Sequence, residues 1–198
     1  MAKASPAGVE QPHRRDLILE AAIELFRAKG FDATGIDEIG AAAGVTGPAV
    51  YRHYASKQDI LDWAVRVGTD EVLLTEREIL ESARSPAEAL SLLVAELVEQ
   101  VLDRPALVTV LLRERRNLSA AGKRNWSRAL GAFTAEWVMP LRELRPDMSK
   151  TEAEVTVNCA IGIVTSIASR TDAVGLSRKM LASRLRGMML AALLASPG

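Results

Sequence analysis

The chain has little of what most enzymes and secreted domains depend on. Its 198 residues include one cysteine, Cys159, which excludes an internal disulfide framework and a multi-cysteine zinc site. The only histidines are His13 and His53, too isolated to form a zinc site with one distant thiol. His53, between Arg52 and Lys57, makes a poor general base, and no serine or cysteine is evidently paired with it. The segment AAAGVTG follows a helical pattern, not a strand, so it is no phosphate-cradling glycine loop. Catalytic residues, metal and cofactor are therefore all expected to be absent. The longest uncharged run, Val155 to Ser169, has 15 residues broken by Thr, Asn and Ser. A bilayer needs roughly 20 apolar ones. The opening MAKASPAGVEQPHRR has no apolar signal core, so a cytoplasmic protein without a membrane partner is expected. Neither sign of charge dominates, with 25 basic and 25 acidic residues. Glycine and proline, at 13 and 8, are too sparse for a fibrous or disordered chain, and 48% apolar residues suffice for a core.

What is present is helical periodicity with a distinctive stretch at Ile36–Tyr54, IDEIGAAAGVTGPAVYRHY, followed by Ala55, Ser56 and Lys57. Ile36, Ile39, Ala42 and Ala43 have the spacing of a buried helical stripe. Thr34 and Asp37 resemble a capping box. Gly44 suits the left-handed end of a helix, with Val45 packing beneath the turn. Thr46 is the expected cap of a second helix of about two turns, with Pro48 in its first turn. Val50 and Tyr54 can face the core, leaving Thr46, Gly47, Ala49, Arg52 and His53 outward. Two short helices around a tight glycine turn, the second bearing hydroxyls and cations, describe a helix-turn-helix.

These residues resemble the TetR family of bacterial transcriptional regulators. The resemblance covers about Arg14 to Trp63: an apolar helix ending LFRAKGFDAT, then IDEIGAAAGVTGPAVYRHYASKQDIL. It implies an all-α fold, three helices forming a DNA-binding domain and six forming a ligand-binding and dimerisation domain. It implies that Tyr51 and Lys57 touch phosphates, and that Thr46, Gly47, Pro48 and Arg52 lie at or near base edges. Thr34 and His53 complete the candidate DNA face. Gly35 stands where the family commonly has a hydroxyl residue, and Gly47-Pro48 is an unusual start for a recognition helix.

The expected organisation is a disordered arm over 1–12, a helix-turn-helix domain over 13–56 and a ligand-binding and dimerisation domain over 57–198. The first helix is expected from Arg14 to Lys29, with Leu17, Ala21, Ala22, Leu25 and Phe26 inward. Ser56, Ser85-Pro86, Arg104-Pro105, Ser119, Lys150 and Ser177 open the later helices, and Pro140 is expected to bend or end one of them. Trp126, Leu130, Phe133, Trp137 and Leu141 share one helix face, as core or as one wall of an apolar ligand cavity. Trp63, Leu107, Leu111 and Ile163 are further candidate walls. Asn158 is a core amide, a dimer contact or a ligand hydrogen bond. The segment LLRERRN is a solvated helix end, or an anion clamp in which Arg113 and Arg116 face one way. The family implies a four-helix dimer seam, for which Val155, Cys159, Gly162, Ile163, Leu181, Leu185 and Met188 are candidates.

The expected partners are an operator in double-stranded DNA, a second copy of the chain and a small effector, largely apolar and conceivably acyl or lipid-like. The expected function is a ligand-responsive repressor. A helical carrier or interaction module that has lost operator binding is the alternative. Up to Arg66 the chain has eight basic and nine acidic residues, an unhelpful balance for DNA, and that favours the alternative.

Overall fold

The computed structural model describes residues 14–170 and 175–195. The expected arm over 1–12 lies outside them. The described residues form nine α-helices: α1 Arg14–Lys29, α2 Ile36–Ala42, α3 Gly47–Val50, α4 Lys57–Ser82, α5 Pro86–Asp103, α6 Pro105–Arg113, α7 Ala120–Leu144, α8 Lys150–Thr165 and α9 Arg178–Leu194. No strand occurs among them.

Local chemistry sets most boundaries. The side chains of Ser56, Ser85, Ser119, Ser149 and Ser177 each accept a backbone N–H at the start of a helix. Ser149 and Glu152 form a reciprocal capping box. Gly30 and Gly44 end α1 and the α2 segment at φ +86° and +68°, where a side chain would be strained. Three expectations change. The inward stripe of α1 is Ile18, Ala22 and Phe26, each four residues apart, and Leu17 is exposed. Thr34 does not cap α2, whose N-cap is Gly35; its hydroxyl donates backward to Gly30 O at 2.8 Å. Pro140 does not end α7, which runs on to Leu144. Pro140 removes one intrahelical bond, the one an N–H there would donate to Glu136 O, and the burial of Trp137, Val138 and Leu141 around it secures the last turn.

Two apolar clusters organise the molecule. The first joins Ile18, Ala22 and Phe26 of α1 with Ile39, Val50 and Tyr54. It also takes Ile60, Leu61 and Val65 of α4, and Val110 and Leu118 from α6 and the following turn. The second lies among α5, α7, α8 and α9, centred on Leu93, Val98, Trp137, Val157 and Met189. Helix α4, with 26 residues and so about 39 Å long, belongs to both. Helix α6 packs against α1. The helix-turn-helix is thus fastened to the larger helical half through α4 and α6.

Candidate nucleic-acid interface and effector cavity

The α2–α3 turn is built by close backbone approach. A Cβ added to Gly40 would stand 3.0 Å from Val45 O and 3.1 Å from Gly47 N. One added to Gly47 would collide with the Asp37 carboxylate. Gly47 is therefore buried against α2. Thr46 is the N-cap residue by backbone geometry, with no side-chain cap bond, so its hydroxyl is uncommitted. Regular helix covers only Gly47–Val50, and turns carry the chain on to His53. Val50 and Tyr54 point inward, and the Tyr54 hydroxyl donates to Arg15 O at 3.1 Å. Thr46, Pro48, Tyr51, Arg52 and His53 are all exposed on the outer side of this segment, with Tyr51 at 57%.

Two other expected DNA contacts are spent inside the protein. Thr34 is 2% exposed, its hydroxyl turned to Gly30. The Lys57 ammonium donates to Phe31 O at 2.7 Å and Thr34 O at 2.8 Å, leans toward Asp32 O at 3.4 Å and sits 4.4 Å from the Phe31 ring centre. An ammonium has three donors. Here they fasten the α1–α2 loop to α4.

A cavity of about 570 Å³ opens among α4, α5, α6 and α7, with Ile161 and Thr165 of α8 beside it. Leu107, Leu111, Trp126 and Phe133 line it as expected, joined by Val72 and Leu97. Five candidate wall residues do not: Leu141 and Ile163 pack in the second core, and Trp63, Trp137 and Asn158 lie elsewhere. Trp63 lies between Arg15 and Arg66, whose guanidinium carbons stand 3.5 and 3.8 Å from its ring centre, on the α1–α4 side. Trp137 is 0% exposed beneath the wall; its ring packs 6.0 Å from Phe133 and its indole N–H donates to Glu76 Oε1 at 2.5 Å. Asn158 is exposed and donates to Glu154 O at 2.7 Å. It borders an open groove of about 920 Å³ between α7 and α8 instead.

The cavity is poor in free positive charge. Among the described residues Arg104 is its only lining cation, and it is ion-paired with Glu71. Glu99 and Asp103 at the rim are paired with Arg178, and Glu99 also with Arg186. Thr69, Thr75 and Thr165 donate their hydroxyl protons to their own helices and keep lone pairs free. Arg113, Arg115 and Arg116 do not line the cavity, so the expected anion clamp is not formed there. Below the wall, burial pushes the Glu76 carboxyl up to about 9; the neighbouring Glu136 carboxyl acts in the same direction, and the hydrogen bond from Trp137 opposes them. Nothing in the sequence marks Glu76, which reads as one more acid on a long solvated helix.

On the far side, α8 and α9 pack together. Val155, Cys159 and Gly162 are exposed on α8, and Met180, Gly187, Met188 and Leu194 on α9. Ile163 is half-buried and packs on the second core. Leu181 and Leu185, at 7% and 5%, face inward, which removes them from the expected seam.

A three-helix helix-turn-helix unit on a six-helix body with its own cavity defines a class of two-part regulators. Residues 18–63 match the family model for bacterial regulatory proteins of the tetR family. The HTH-type transcriptional repressor KstR2 of Mycolicibacterium smegmatis is 31% identical over 116 residues, 58% of this chain and 57% of that protein. The chain spans about half the length of the curated relatives it matches. A TetR-family transcriptional regulator from Bordetella parapertussis superposes with a TM-score of 0.81 at 23% identity, over 91% of this chain and 95% of that one. AibR, solved with isovaleryl coenzyme A and operator DNA, superposes at 0.74 with 21% identity, over 89% and 97%. Residues 18–63 thus carry the helix-turn-helix segment of the tetR family, and the chain as a whole has the fold of solved TetR-family regulators.

Proposed function

We propose that the protein is a homodimeric, DNA-binding transcriptional repressor that a small, uncharged and largely apolar effector releases from a palindromic operator. The observation that carries this is the outer side of the α3 segment. The side chains of Thr46, Pro48, Tyr51, Arg52 and His53 are exposed there without a hydrogen-bond or ion-pair partner among the described residues, while their neighbours are consumed by packing. A protein that had lost its operator would have no need of such a face. The likeness to AibR, whose structure holds both operator DNA and an acyl-CoA, supports the pairing of DNA with a ligand.

The effector's chemistry follows from the lining. A carboxylate or phosphate buried without a partner cation is costly. Here the one lining arginine is already paired. The free lone pairs of Thr69, Thr75 and Thr165 favour a ligand that donates hydrogen bonds, such as a hydroxyl on an apolar body. Coupling runs through α4 and α6. A Cβ on Gly68 would stand 3.2 Å from Leu107 Cδ2, so the two helices touch at the cavity edge. Both also pack on the DNA-binding half, so a ligand that separates them tilts α3. The recognition segments of the dimer then leave a spacing of about 34–36 Å or its multiple. No side-chain constellation for covalent chemistry occurs among the described residues, and a DNA-bound repressor belongs in the cytoplasm.

Enrichment from a pool of random duplexes tests this reading. The expected product is a palindrome bound by two subunits. A pool that emerges unenriched would refute it and favour a carrier.

A further inference from the structure

The turn between α6 and α7 has no part in the cavity and carries an unusual charge. From Arg113 to Arg128 there are six cations, Arg113, Arg115, Arg116, Lys123, Arg124 and Arg128, against one acid, Glu114. All six are exposed, and Glu114 is buried. Among the described residues none of the six forms an ion pair. Helix electrostatics explains only half of them. Arg113, Arg115 and Arg116 close or follow α6, where unsatisfied carbonyls attract cations. Lys123 and Arg124 stand near the opposite, positive end of α7, where the same field disfavours them.

The turn is clamped to the DNA-binding half. Gln58, in the first turn of α4, donates to Asn117 O at 2.8 Å. Asp62, one turn further, accepts from Ser119 N at 3.1 Å and from the Ser119 hydroxyl. The Glu114 carboxylate lies 3.7 Å from where a Cβ on Gly30 would stand, at the end of α1. The basic turn therefore sits level with the first turns of α4 and with the α1–α2 loop, beside the elements that hold α3. That half is itself short of usable cations. Arg15 and Arg66 stack on Trp63, Lys57 is spent on carbonyls, and Arg27 and Lys29 are ion-paired. Arg14 and Arg52 remain.

We infer that the α6–α7 basic turn is a second DNA-contact surface, which grips backbone phosphates flanking the half-site read by α3. This rests on the proposed DNA-binding function. It also resolves the charge balance of the first 66 residues, because the larger half supplies the cations the smaller half lacks. Contacts of this kind add affinity and salt dependence with no preference for sequence.

The test uses the operator enriched by the full-length wild type, in two duplexes. One ends at the palindrome; the other extends about one helical turn, ~10 base pairs, beyond it on each side. Binding is titrated against salt for wild type, Arg115→Ala/Arg116→Ala and Lys123→Ala/Arg124→Ala, all exposed positions, with thermal melting to verify folding. On the extended duplex, each double variant should bind more weakly and lose roughly 0.9 of salt slope per phosphate released. On the short duplex, variants and wild type should coincide. Equal affinity and slope on the extended duplex would overturn the inference and leave the turn to an acidic protein partner. Equal losses on both duplexes would overturn the flanking position. A wild type that enriches no duplex would remove the DNA-binding reading itself, a separate failure.

Discussion

The Trp137 indole N–H donates to Glu76 Oε1 at 2.5 Å in the buried joint between α7 and α4. Glu76 is 3% exposed, and its carboxyl is pushed up from 4.5 to about 9, chiefly by burial. A raised carboxyl is neutral in both states below its unfolded value, so it costs little there. Between about 4.5 and 9 the unfolded chain ionises while the folded chain holds its proton, and stability falls as pH rises through that window. Glu76→Gln keeps an acceptor for the indole and removes the ionisation. Its melting temperature should match wild type near pH 4.5 and exceed it increasingly toward pH 8. A constant difference across that range would contradict the buried, protonated state.

Phe133 and Trp137 pack with their rings tilted by 43°, yet they belong to different environments. Trp137 is enclosed on all sides, and Trp137→Ala should cost about 3–5 kcal/mol. Phe133 borders the cavity, so Phe133→Ala should cost clearly less, because it enlarges an existing space. Decan-1-ol should raise the melting temperature of wild type more than of Phe133→Ala, and decanoate should raise neither. Equal destabilisation by the two substitutions, with no effect of the alcohol, would make the stripe ordinary core.

The dimer seam should respond to the exposed faces of α8 and α9 alone. Gly162→Glu or Met188→Glu places a charge where a partner subunit would desolvate it, and should yield folded monomers with weak operator binding. Leu185→Glu buries its charge within one subunit and should unfold the protein instead. Sedimentation together with circular dichroism separates the two outcomes. An intact dimer for both exposed-face variants would move the seam elsewhere.

Lys57→Ala should lower stability by freeing the α1–α2 loop, with the salt slope of DNA binding almost unchanged. A loss of about one unit of slope per subunit at unchanged melting temperature would restore the phosphate contact.

The fold was largely legible because its signals are local. Serine caps, the left-handed Gly44 and the apolar periodicities lie within a few residues of the boundaries they set. The DNA face was partly legible: Thr46, Pro48, Tyr51, Arg52 and His53 are exposed as expected. Gly47, Thr34 and Lys57 are engaged within the protein by an aspartate on another helix and by backbone carbonyls across a loop, partners that leave no pattern in sequence. In α9 both faces are rich in small and apolar residues, so periodicity could not show that Leu181 and Leu185 turn inward and Met188 outward. Trp63 lies away from the cavity because Arg15 and Arg66 enclose it, and these two are brought together only by the fold.

The most direct measurement is discrimination by wild type and Arg52→Ala between the enriched operator and a copy with one half-site base pair exchanged. Arg52 is exposed on the outer side of the α3 segment. An arginine bidentate to guanine is worth roughly 1–3 kcal/mol of discrimination. Wild type should prefer the intact operator by about ten-fold or more at the most sensitive position, and Arg52→Ala should lose that preference while still binding DNA. If both proteins discriminate alike at every position, the α3 segment does not read bases through Arg52, and the assignment of this face as the operator-reading surface fails.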